Sequence, residues 1–293
     1  MKAVKRIRYK TIGLYISAMI VFVWTFARII WTLVSSISTR LELLSIPPHW
    51  IPMKPTLENY MQLLITGSVE TSSGTVTGSA VYFKRAMANS LIVAGSSTVI
   101  ILILSSLSGY AFARLRFPGK NLLFIIFIFI IAVPVWAFII PLYSMMAHWG
   151  LLDTYSSLIL VYSSWTAPFC LWIMRSYYES IPLEIEESAM TDGCNRFQVL
   201  RRIVLPLSVP GLVSAAVVSF LSSWNEFTIA LIFTSTYNAK TVPVIISEFI
   251  SKYTVEYELM CAGGILSIIA PLLLVLFLQK YLITGMIAGA VKA

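Results

Sequence analysis

Residues 184–206 read EIEESAMTDGCNRFQVLRRIVLP, and the reading of this stretch decides how the rest of the chain is understood. Four acids, three arginines and the turn-forming pair Asp192-Gly193 fall together in a chain of 293 residues that is 58% apolar and only 12% charged. An ordinary soluble domain carries about a quarter charged residues. The surroundings therefore have membrane composition, and the stretch is a polar island between apolar spans.

Apolar runs of about 18 residues or more, each able to cross a ~30 Å hydrocarbon core as a helix, lie near 12–34, 89–112, 122–146, 155–174, 209–233 and 259–279. The N-terminus MKAVKRIRYK holds five Lys/Arg, and the apolar segment after it exceeds the 7–15 residues of a signal h-region. It reads as an uncleaved first span. Six spans place both termini on one side. With that side inside, the inner segments hold 14 Lys/Arg, among them Arg114, Arg116, Lys120, Arg175, Arg196, Arg201 and Arg202, and the outer segments hold 6. This is the positive-inside pattern, and it puts the polar island and both termini in the cytoplasm. Topology also accounts for most of the net charge of +8, so the charge does not point to nucleic acid. Cys170, Cys194 and Cys261 have no C-x-x-C spacing and no neighbouring His, which predicts neither a disulfide framework nor a metal site.

The expected fold is an all-α integral membrane protein with six transmembrane helices, one peripheral and five forming a core. Residues 1–35 are the N-terminus and first span, 36–87 an outer loop, 88–283 the core with an inner loop at 176–206, and 284–293 an inner tail. In the outer loop, Pro47, Pro48, Pro52 and Pro55 predict a stiff extended segment, and TGSVETSSGTVTGSA a flexible one. Pro134, Pro141, Pro168, Gly263, Gly264 and Pro271 interrupt spans; they are read either as ordinary kinks or as breaks lining a pathway.

Within the island, Ser180-Ile181-Pro182 is a helix-start signal and Glu184, Glu186 and Glu187 suit a helix N-terminus. Ile185, Ser188 and Ala189 would form one small face, Asp192-Gly193 a turn, and Phe197, Leu200 and Val204 one side of a second amphipathic stretch. Such a helix–Gly–helix unit fits either an interfacial anchor on anionic lipid or a docking site. Glu187-Ser188-Ala189, three residues, Gly193, nine residues and Ile203-Val204-Leu205-Pro206 resemble the EAA motif of ATP-binding-cassette importer permeases, departing from it at Ser188. NSLIVA at Asn89, GYAFARLRFPGK at Gly109, GLLDTYSSLIL at Gly150, SWNEF at Ser223 and the closing QKYLITGMIAGAVKA are similar to segments of the MalG-like carbohydrate branch.

The resemblance implies a permease subunit that pairs with a second homologous permease, two cytoplasmic ATPase subunits and an extracytoplasmic solute-binding protein, in a bacterial inner membrane. ATP and Mg would belong to the ATPase, since this chain has no G-x-x-x-x-G-K-[ST] and is not expected to bind a cofactor. The implied coupling residues are Glu187, Ser188, Ala189, Asp192, Gly193, Ile203, Leu205 and Pro206, with Gly289 and Lys292 of the tail as further ATPase contacts. Trp224, Asn225, Glu226, Tyr143 and Trp136 are pathway candidates; Glu226 is read either as a sugar ligand or as a buried ion pair or interhelical hydrogen bond. The expected cargo is an oligosaccharide, either neutral or acidic such as alginate fragments. The alternatives are an ABC permease for another solute class and an ion-coupled secondary transporter.

Overall fold

A computed structural model describes the backbone of residues 2–47, 49–66, 69–71, 74–76, 79–250 and 255–290, and their side chains except at 2–12, 66–78 and 282–290. In chain order the main elements are α1 (Lys2–Ser36), the hairpin strands β1 (Val69–Thr71) and β2 (Gly74–Val76), α2 (Phe83–Arg114), α3 (Lys120–Ala132), α4 (Ile139–His148) and α5 (Tyr155–Glu179). They continue with α6 (Leu183–Thr191), α7 (Arg196–Val199), α8 (Val209–Trp224), α9 (Thr228–Phe233), α10 (Val242–Glu248) and α11 (Tyr257–Ala290). Four helices are long and apolar enough to cross a membrane, and the number rises to six if two sharply bent helix pairs each count as one span.

One bent pair shows what the interruption expected at Pro134 in the span over 122–146 amounts to: α3 stops at Ala132, and the chain turns by 95° before running on through α4. Pro134 explains the break, because it donates no backbone hydrogen and pushes Val133 into extended conformation (ψ 126°). The span predicted over 209–233 likewise ends early, at Trp224. Pro168 and Pro271, by contrast, sit inside the continuous helices α5 and α11.

The chain divides into two compact units, Met1–Lys84 with Ile246–Ile268, and Arg85–Ile245 with Ile269–Ala293. In the first unit, Asn59 donates through Nδ2 to the Ser36 and Ser38 carbonyls at 2.8 and 3.1 Å. The proline-rich segment is folded back rather than extended: the Glu42 carboxylate accepts from Lys54 N at 2.9 Å and from Thr39 N at 3.4 Å, and Thr56 N donates to Ile37 O. Those hydrogen bonds offset the preference of a proline run for an extended chain. The part read as flexible contains β1 and β2, paired antiparallel with Val69 opposite Val76.

The second unit is organised around α5, whose inward residues Leu158, Val161, Tyr162, Cys170, Met174 and Tyr178 are buried. Two glycines set its helix spacing. A Cβ on Gly211 would lie 2.5 Å from Tyr177 Cγ, and one on Gly109 would lie 2.9 Å from Met174 Cβ. Only the bare backbone lets α8 and α2 come that close to α5.

Candidate coupling site

The polar island folds as two short helical pieces joined by a doubly capped elbow. Helix α6 ends in a left-handed Gly193 (φ +91°), with Gly193 N donating to Met190 O at 3.1 Å and Cys194 N donating to Ala189 O at 3.0 Å. This is the paired Schellman arrangement, which satisfies carbonyls that a helix end leaves open. Immediately afterwards Asn195 caps α7: its Oδ1 accepts from Gln198 N at 2.9 Å while Gln198 Oε1 accepts from Asn195 N at 2.8 Å. A stop signal at Gly193 and a start signal at Asn195, with Cys194 between them, hold the angle of the elbow.

The burial pattern corrects the expected faces. Ala189 is buried against the chain's own core, in a cluster with Tyr110, Met174, Tyr178, Val199, Leu200 and Val204, whereas Glu187, Ser188, Asp192 and Gly193 are exposed. Of the apolar side predicted for the second stretch, Leu200 and Val204 face inward but Phe197 is 63% exposed. A π-helical turn over Leu200–Val204 shifts the register, so residues three apart no longer share one face with those further on. Ile203 and Leu205 pack partly against the cluster and Pro206 is exposed. The outward surface of the island thus carries Ile185, Ser188, Glu187 and Phe197.

Sequence reasoning missed the group that anchors the island. Glu186 is 2% exposed; its Oε1 accepts from Arg114 Nε at 2.5 Å and its Oε2 from Tyr110 Oη at 3.0 Å. Arg114 Nη2 also donates to Ile181 O at 2.7 Å, so one guanidinium holds both the approach to α6 and its first turns. The signal available was the middle one of three glutamates on a short helix with an arginine in the GYAFARLRFPGK segment 72 residues earlier, and nothing local marks such a pair.

The pathway candidates each make their own local contacts. Trp224 is buried and stacked on Phe220, with ring centroids 5.5 Å apart, while Asn225 is exposed and donates through Nδ2 to Leu221 O, closing the end of α8. Glu226 lies two residues before α9: its carboxylate accepts from Ile229 N at 2.8 Å, Ala230 N at 3.1 Å and Tyr162 Oη at 2.7 Å. The Tyr162 hydrogen bond ties Glu226 to α5, and no salt bridge involves Glu226 among the described residues. Tyr143 packs edge-on against Phe233 of α9, and Trp136 is 64% exposed in the turn that follows Pro134. At the far end of α9, Asp153 accepts from Ser235 N, Thr236 N and Thr236 Oγ1 at 2.9, 3.0 and 2.6 Å. Partial burial pushes the Asp153 carboxyl up, but the Thr236 and Ser235 hydrogen bonds outweigh it and hold the group below its ordinary value of 3.8. Gly289 lies in the last turns of α11, and Lys292 falls outside the described residues. No cluster of three or more potential metal ligands occurs among the described residues.

Residues 101–287 match the family model described as the binding-protein-dependent transport system inner membrane component. The chain belongs to that family. The matched segment contains both partners of the Arg114–Glu186 pair, the elbow and α9. Among relatives of this inner membrane component, the trehalose/maltose transport system permease protein MalG of Thermococcus litoralis is 33% identical over 284 residues, covering 97% of each chain. The trehalose transport system permease protein SugB of Mycobacterium tuberculosis is 35% identical over 212 residues, covering 72% of this chain and 77% of that one. A crystal structure of a bacterial ABC transporter involved in the import of the acidic polysaccharide alginate contains a chain of the same fold, with a TM-score of 0.76 at 22% identity, covering 94% of this chain and 96% of that one. The family member is a transport subunit rather than an enzyme.

Proposed function

We propose that this chain is the permease subunit of an ATP-driven importer and forms half of a translocation pathway for an oligosaccharide delivered by a solute-binding protein. The observation that carries the reading is the elbow of residues 183–206, which presents Ile185, Ser188, Glu187 and Phe197 outward from a doubly capped, internally anchored support. Exposed apolar side chains beside acids and arginines on a fixed frame suit a protein partner better than bulk water. The partner in this reading is a cytoplasmic ATPase that supplies ATP and Mg, one of two beside a second permease. The loop then faces the cytoplasm with both termini, as the lysine and arginine distribution favours.

The carbohydrate assignment draws on the sugars named for the trehalose and maltose relatives. Alginate fragments are an option of the same class, on the fold likeness to the alginate importer. When ATP closes the ATPase pair, a rigid elbow is carried as a body and rocks the helices fixed to it, switching access from one side of the membrane to the other. Reconstitution with the second permease, the ATPases and the solute-binding protein tests this. Uptake of a maltose- or trehalose-type oligosaccharide is expected to require ATP inside and binding protein outside. Uptake driven by an ion gradient without the ATPase would overturn it, and uptake of only a non-sugar solute would leave the importer and replace its cargo.

A further inference from the structure

Helix α6 is connected by sequence to α5 before it and, through the elbow, to α8 after it. The structure adds a third connection that the chain order does not supply: Arg114, the last residue of α2, is locked to Glu186 of α6 and to the Ile181 carbonyl, and Tyr110, one turn earlier on α2, completes the Glu186 carboxylate. The pair is enclosed, with Arg114 10% and Glu186 2% exposed at the side chain. Tyr110 is held from its other side by the Tyr178 ring of α5, centroids 6.1 Å apart at 81°. Gly109 sits against Met174, so α2 has no side chain between itself and α5 at this level.

We propose that the Arg114–Glu186–Tyr110 junction is a positioning device that makes the end of α2 travel with α6, so that the loop drives α2 directly as well as α5 and α8. The inference rests on the reading of the loop as the ATPase-docking element. Charge pairing sealed from solvent resists shear, because each donor loses its acceptor before water can replace it. A helix end held by apolar contact alone would slide more freely. Arg114 and Glu186 act through the helices they join and touch no substrate.

The test separates a mechanical tie from a contribution to folding. In a chain carrying Cys170→Ala, Cys194→Ser and Cys261→Ser, the pair Arg114→Cys/Glu186→Cys is assembled with the second permease, the ATPases and the binding protein, then treated with a short bismaleimide. Before linking, sugar transported per ATP hydrolysed is expected to fall about tenfold, within the usual range of coupling between sites. After linking it is expected to recover, because an uncharged tether restores the tie. A purely structural role predicts no change in that ratio on linking. Wild-type transport per ATP in the unlinked variant would overturn the proposal, and so would stronger inhibition after linking, which would mean that the junction opens during the cycle. If the cysteine pair does not assemble, Arg114→Met/Glu186→Leu removes both charges together: normal coupling there overturns the proposal, and assembled but uncoupled complex supports it. Failure of the cysteine-free parent to bind the ATPase at residues 183–206 would count against the docking reading; normal binding with an inhibitory link would count against the junction alone.

Discussion

Replacing Gly193 by alanine isolates the conformation of the elbow from its packing. A Cβ placed on Gly193 meets no atom within 4 Å, so the substitution causes no collision in this chain. What it costs is the backbone: at φ +91° an L side chain is disfavoured by about 1–2 kcal/mol. That corresponds to roughly a 5- to 30-fold fall in the equilibrium constant that holds the elbow in shape. The anchor at Glu186 and the buried Val199, Leu200 and Val204 are untouched, so the protein is expected to remain folded and in the membrane. In proteoliposomes containing the complete transporter, Gly193→Ala is expected to lower ATP-dependent uptake measurably and by at most that factor, and Gly193→Asn by less, because asparagine enters the left-handed region more easily. Gly211→Ala is the contrasting control: its new methyl would fall 2.5 Å from Tyr177 Cγ, and loss of folded protein is expected instead. Normal uptake by Gly193→Ala, or a larger defect for Asn than for Ala, would refute the assignment of the elbow's angle as the sensitive quantity.

Glu226→Gln is expected to lower stability by about 1.5–3 kcal/mol, the usual worth of hydrogen bonds to a charged group, without changing the half-saturation for sugar, because the carboxylate is occupied by Ile229 N, Ala230 N and Tyr162 Oη. Unchanged thermal stability with a raised half-saturation would move Glu226 into the pathway. Asp153 has its carboxyl held below its ordinary value of 3.8, so its contribution is fully present above that pH and is lost as the pH falls through the depressed value. Limited proteolysis at Ser235–Thr236 is therefore expected to appear in Asp153→Asn at neutral pH and in the parent protein only in strong acid; equal cleavage of both at neutral pH would contradict this. An impermeant thiol reagent is expected to label Cys194 and a Thr71→Cys variant from opposite faces of the membrane, and labelling of both from outside would reverse the orientation.

The polar island is legible in the sequence because its signals are local: a glycine at a helix end, acids in a first turn, and fixed spacing to Ile203 and Pro206. The features that escape are long-range or depend on register. Arg114 and Glu186 meet only after α2 and α5 pack, and no periodicity encodes a partner 72 residues away. A regular 3.6-residue repeat would carry Phe197 inside with Leu200 and Val204, and the π-helical turn breaks that repeat. Trp224-Asn225-Glu226 reads as polar residues inside a span; they are the end of one helix and the turn before the next, whose first N–H groups the Glu226 carboxylate accepts. Pro134 signals an interruption, but its 95° size depends on the packing of α3 and α4.

Docking of residues 183–206 against the ATPase is testable by proximity labelling from Ser188. Ser188 is exposed on α6, so a Ser188→Cys variant carrying a short photo-crosslinker leaves the Ala189 and Glu186 contacts in place. In the assembled transporter a crosslink from position 188 to the ATPase subunit is expected, with none from the same probe on Trp136→Cys. An assembled, ATP-hydrolysing complex in which position 188 crosslinks only to lipid would contradict it.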